Sequence, residues 1–90
     1  MPESSEATIT LSGDLHARPA GALSVAAAKF DSVIELTAGP NQANAKSVLA
    51  VMQLGASTGQ QITVRAVGPD ASDAVATVIG ILTAATKTGD

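Results

Sequence analysis

The chain switches repeatedly between two hydrophobic periods, one of two residues and one of about 3.6. Ala7-Thr8-Ile9-Thr10-Leu11 alternates, with Ile9 and Leu11 on one face and Thr8 and Thr10 on the other, and predicts a first strand. After the loop Ser12-Gly13-Asp14, the pattern changes. Ala20, Leu23, Ala27 and Phe30 recur at helical spacing and predict a helix with one buried stripe. Pro19 fits its first turn, where a missing N–H leaves no bond unmade. Asp31-Ser32 should end that helix, and Val33–Thr37 reads as a second strand. Ala38-Gly39-Pro40-Asn41 is a turn, and a short strand around Gln42-Ala43-Asn44 completes a hairpin.

Ser47 is placed to cap a short helix running from Val48 to Leu54. That helix is more apolar than a short surface helix requires. Either it packs hard against a sheet, or part of it is an exposed apolar patch. Leu49 and Met52, three apart, are the expected exposed pair, with Val48 and Val51 facing the sheet. Gly55 and Gly59 bracket a loop. Gln61–Val67 then alternates cleanly and predicts a strand. Gly68-Pro69-Asp70 turns the chain into a last helix, capped by Asp70 or Ser72, with Asp73 near its positive end. Ala74, Val75, Val78, Ile79 and Leu82 line its buried face, and Lys87 and Gly89 suit its end. The expected order is β-α-β-β-α-β-α, an α+β chain in two layers, with the helices on one side of a sheet. The opposite sheet face, bearing Thr8, Thr10, Thr63 and Arg65, is left to water.

Composition removes several functional classes. Ninety residues suit one domain, 1–90, with a modest core. There is no cysteine and one histidine, so no metal site is expected, and nothing calls for a cofactor. The net charge is −3, from five basic and eight acidic residues, and Arg18, Lys29, Lys46, Arg65 and Lys87 are scattered. With no basic stripe and Phe30 the only aromatic residue, nucleic-acid binding is not expected. The segment Met1-Pro2-Glu3-Ser4-Ser5-Glu6 is acidic and does not read as a signal peptide, and no apolar run approaches the roughly 20 residues of a membrane span. The expected location is the cytoplasm.

The candidate chemistry lies in Leu15-His16-Ala17-Arg18-Pro19-Ala20. The one side chain whose ordinary pKa is near neutral stands where a strand hands over to a helix N-terminus, a place rich in unpaired N–H groups. A neutral imidazole can take a phosphoryl group and release it, because a phosphoramidate transfers more readily than a serine ester. Arg18 can add a forked, charge-assisted contact. On the residues alone, His16 could equally be a surface histidine at a helix end, and Arg18 an ordinary solvated charge.

Two segments together carry a resemblance. His16-Ala17-Arg18-Pro19-Ala20 and Lys46-Ser47-Val48-Leu49-Ala50-Val51-Met52-Gln53-Leu54-Gly55 resemble the active-site and regulatory-serine segments of HPr, the histidine-containing phosphocarrier family of the bacterial phosphoenolpyruvate-dependent sugar phosphotransferase system. The resemblance implies an open-faced β-sandwich with an antiparallel sheet ordered 1-4-2-3. It implies a phosphoryl carrier, not an enzyme. His16 would accept the group at its pros nitrogen from phospho-enzyme I and pass it to a IIA component of a sugar permease, with Arg18 stabilising it. Ser47 would be the regulatory site in lineages with a serine kinase/phosphorylase and transcription regulators that read it. Ala17, Ala20, Val48, Leu49 and Met52 would form the partner surface of a monomer. The alternatives are a regulatory adaptor acting through phospho-Ser47, and a carrier in a nitrogen-related or otherwise specialised relay.

Two positions depart from the pattern or cost something. The family normally has glycine where Asp14 stands, and here the glycine is displaced to Gly13. An acidic side chain so close in sequence to an anion acceptor is expected to pair with Arg18 or turn away. Gly21, inside the first helix, should cost up to about 1 kcal/mol relative to alanine. Lys46, beside Ser47, is expected to favour a phosphate there.

Overall fold

The computed structural model describes residues 3–15 and 17–86. His16, Lys87 and Gly89 lie outside the described residues. The order is β1 (Ser4–Thr10), α1 (Ala17–Ala27), β2 (Val33–Ala38), β3 (Asn41–Asn44), α2 (Val48–Gln53), β4 (Gln61–Val67) and α3 (Ala71–Thr86). The strands form one antiparallel sheet in the order β1-β4-β2-β3.

Alternation fixes which side of the sheet is covered. Ile34, Leu36 and Ala38 of β2, and Ile62, Val64 and Ala66 of β4, point inward and are fully buried. These two strands are the middle of the sheet, so their inward residues have neighbours on every side. Ala7 and Ile9 of the edge strand β1 are only partly buried. The helices cover that inner face. Leu23 and Ala27 of α1, Val51 of α2, and Ala74, Val78 and Leu82 of α3 meet the sheet residues in one apolar cluster. At roughly 1.5–3 kcal/mol for each large aliphatic side chain buried, this cluster is the main stabilising term.

The outer face is polar. The register sets Thr8 opposite Thr63, and Glu6 and Glu35 on either side of Arg65. The Thr8 and Thr63 hydroxyls are 2.9 Å apart. Arg65 Nε lies 3.9 Å from Glu6 Oε1 with both side chains well exposed, a geometry worth less than about 1 kcal/mol.

Three details differ from the sequence reading. First, α1 ends at Ala27 and tightens into i→i−3 bonds, from Lys29 N to Ala26 O and from Phe30 N to Ala27 O. Phe30 is therefore past the helix and only half-buried. Second, the Asp70 carboxylate is turned away from the start of α3. It accepts from Asp31 N and Ser32 N, at 2.9 Å each, and from the Ser32 hydroxyl. Third, Val48 is 41% exposed, whereas Val51 is fully buried. A six-residue helix lying on a sheet has room for one deeply buried valine, and the residue three positions earlier sits at its open end.

The Asp70 contact belongs to a tight corner. Gly68 has φ +149° and lies against the backbone of Ser32, where a β-carbon would come within 2.7 Å of Ser32 Cα. Gly68 N donates to Glu3 O at 2.8 Å, so β1, the end of β4, the start of β2 and the start of α3 converge there. Ser32 is fully buried, and Asp70 accepts from both its backbone and its hydroxyl.

Candidate functional site

At the opposite end of the β1–β4 pair, the first strand runs into the segment that precedes His16. The ladder continues past β1, with Leu11 N donating to Gln60 O and Gly59 N to Leu11 O, both at 2.9 Å. Leu15 N donates to Ala56 O at 3.0 Å. Leu11 and Leu15 are buried, so this segment is pinned to the 55–60 loop by packing as well as by backbone bonds.

Helix α1 starts at Ala17, the residue after His16. Ala17 and Arg18 are exposed in its first turn, and Pro19 is buried there. Arg18 has no ion-pair partner among the described residues, so its guanidinium is available to an anion. Ala20, which the resemblance put on the partner surface, is fully buried, as its place in the helical stripe predicts. It is three residues before Leu23 and one turn below Ser24, on the stripe that faces the core, and it offers no surface.

Helix α2 packs on α1 and on β3. Ser47 has extended backbone at φ −106° and ψ 109°, and its hydroxyl accepts from Ala50 N at 3.2 Å, which is the geometry of an N-cap. The helix closes at Leu54, and Gly55 follows with φ +66°, the left-handed turn that stops a helix cheaply only at glycine. Because Ala56 receives the Leu15 N–H, this C-terminal end of α2 adjoins the approach to α1. Leu49 is 65% exposed and Met52 42%, and with Val48 they form an apolar patch on α2. Arg18, Ala17 and this patch thus belong to two helices in contact.

Lys46 does not face Ser47. Its Nζ donates to Phe30 O at 2.7 Å, where the last carbonyls of α1 lack helical partners. The ammonium therefore serves the end of α1, and the capping of α2 rests on Ser47.

Asp14 does not pair with Arg18. Its Oδ1 accepts from Thr58 N at 2.8 Å and from Thr58 Oγ1 at 2.9 Å. Thr58 is the participant that sequence reasoning missed. It lies 44 positions away in a loop with no periodicity, and the only hint was an acidic residue where an acceptor-free glycine was expected. Among the described residues no cluster of His, Cys, Asp or Glu could hold a metal ion, and no helix is long and apolar enough to cross a membrane.

Comparison with known proteins gives a consistent answer. The family model for the PTS HPr component phosphorylation site matches residues 3–89. The chain is 45% identical over 69 residues to the phosphocarrier protein HPr of Mycoplasma capricolum, covering 77% of this chain and 78% of the relative. The solved structure of a Mycoplasma histidine-containing phosphocarrier protein matches at TM-score 0.82 and 38% identity, over 97% of this chain and 100% of that one. An HPr from Thermoanaerobacter tengcongensis matches at TM-score 0.82 and 34% identity, over 87% and 90% of the two chains. The fold, the strand order and these relatives agree, and the chain belongs to the HPr family of phosphocarrier proteins.

Proposed function

We propose that residues 1–90 act as one phosphocarrier domain that accepts a phosphoryl group on His16 from phospho-enzyme I and passes it to a IIA component of a sugar permease. The observation that carries this reading is the exposed Arg18 guanidinium in the first turn of α1, two residues after the chain's only histidine and without an ion-pair partner among the described residues. The neutral imidazole attacks phosphorus through its pros nitrogen. A P–N bond forms as the bond to enzyme I breaks, and the second transfer reverses this with the IIA residue as nucleophile. Arg18 balances the charge that the group carries in and out.

The exposed Val48, Leu49 and Met52, on a helix in contact with the one whose first turn exposes Ala17, suit a partner that covers both helices. Methionine adapts to more than one partner shape, which a relay between two proteins requires. Ser47 borders the same patch. A phosphate on its hydroxyl would meet the free N–H groups at the start of α2 and would turn a neutral border strongly negative, weakening docking by an acidic partner.

The test is incubation with phosphoenolpyruvate and enzyme I, followed by intact mass before and after mild acid. One added phosphoryl group, lost on acid treatment, is the expected result. Arg18→Ala should keep the fold and slow transfer, by up to a few kcal/mol in the barrier if the contact strengthens in the transition state. No labelling of the wild-type chain, or an acid-stable label, would overturn the reading.

A further inference from the structure

Between Leu11 and Leu15 the chain leaves the sheet, and the described backbone pairing to the 55–60 loop is interrupted. The Asp14 carboxylate bridges that interval, taking both Thr58 donors on one oxygen. The receiving loop is itself closed. Gln60 N donates to Ser57 O at 3.0 Å, and Gln60 Oε1 accepts from Ser57 N at 3.2 Å. Thr58 is thus held at the tip of a tight turn, with its N–H and hydroxyl presented to the segment that leads to His16.

We infer that Asp14 is a positioning residue for the relay: its latch to Thr58 fixes the last residues before His16 against the 55–60 loop. This inference rests on the phosphocarrier reading of His16. A carboxylate suits the task because it is acceptor-only and its bonds to N–H and O–H donors are charge-assisted. Leu11 and Leu15 are held by burial and Gly13 is buried between them, which leaves Ser12 and Asp14 as the exposed residues of the span, with the Asp14 side chain bonded to the 55–60 loop. Holding an acceptor in its reactive orientation lowers the barrier to transfer without requiring tighter partner binding.

The test is steady-state phosphorylation by enzyme I, with hydrogen exchange at the Leu15 amide. The variants are Asp14→Ala, Thr58→Val, the double variant, and the rescue variants Asp14→Asn and Thr58→Ser. Asp14→Ala should lower kcat about five- to tenfold with KM within twofold, and should speed Leu15 exchange. Thr58→Val, which keeps the backbone donor, should lose less. The double variant should fall no further than Asp14→Ala, because both changes break one latch. Asp14→Asn keeps an acceptor oxygen without the charge, and it should stay within twofold of wild type, as should Thr58→Ser. Equal loss in Asp14→Asn and Asp14→Ala would assign the effect to charge and overturn the latch, as would additive losses or wild-type kcat in Asp14→Ala. Absence of any acid-labile label on the wild-type chain would overturn the phosphocarrier reading itself, a result separate from these.

Discussion

Asp70 and Asp14 each accept a hydroxyl and a backbone N–H from a loop far away in sequence, at opposite ends of the β1–β4 pair. Their settings differ. Asp70 closes on Ser32, which is fully buried, beside a glycine that admits no β-carbon. Asp14 closes on Thr58, and both residues are exposed. The same group of bonds stabilises the fold where it satisfies buried donors, because leaving those unmade would cost a desolvation penalty. At the exposed end water can replace either partner, so the latch adds little stability and its consequence is orientation. The far end holds the fold, and under the proposed function the near end is the one that exchanges the phosphoryl group with other proteins.

The sharpest way to break this comparison is at Gly68. Gly68→Ala would force a β-carbon into the Ser32 backbone at a φ that alanine resists, and should cost about 2–4 kcal/mol of stability in urea unfolding. An unchanged midpoint would show that the corner is soft. Asp70→Asn probes the charge of the same corner. The Ser32 hydroxyl, and then the Asp31 N–H, hold the Asp70 carboxyl below the ordinary aspartate value. A depressed native pKa contributes stability that is fully present above the unfolded value, about 4, and is lost as pH falls through the native one. Wild type should therefore exceed Asp70→Asn in stability at pH 7, and the gap should narrow as pH falls below about 4. A gap independent of pH would contradict the assignment.

At the near end the expected stability effects are smaller. Ser47→Ala removes the α2 cap and should cost about 1 kcal/mol. Ser47→Asp keeps a capping oxygen and adds charge, so it should retain stability while slowing phosphorylation by enzyme I. Equal kinetics would show that no switch is built into this face. Gly21→Ala should stabilise the chain by a few tenths to about 1 kcal/mol, since nothing lies within 4 Å of the added β-carbon. A loss of stability would mean that α1 needs the glycine for a reason that packing does not reveal.

Much of the fold was legible because it is written in local period. The alternation of Gln61–Val67 became the strand whose inward residues are buried, and the polarity of Thr8, Thr10 and Arg65 became the open face. Ser47 was legible as a cap because capping acts over three residues. What could not be read is contact between segments that share no period. Nothing local ties Asp70 to Ser32, Lys46 to Phe30 O or Asp14 to Thr58. Asp70 was read as a possible cap of its own helix and Lys46 as a partner for Ser47, while for Asp14 turning away from Arg18 was foreseen but not its destination at Thr58. Ala20 and Val48 divide the two kinds of reading: helical spacing put Ala20 on the buried stripe, where it lies, but turned Val48 to the sheet, whereas the resemblance put both on the partner surface and only Val48 is exposed.

The most direct test of the central claim compares wild type with His16→Ala after incubation with phosphoenolpyruvate and enzyme I, reading intact mass with and without acid and checking the fold by circular dichroism. The account predicts one acid-labile phosphoryl group on wild type and none on a folded His16→Ala. Undiminished acid-labile labelling of His16→Ala would contradict it.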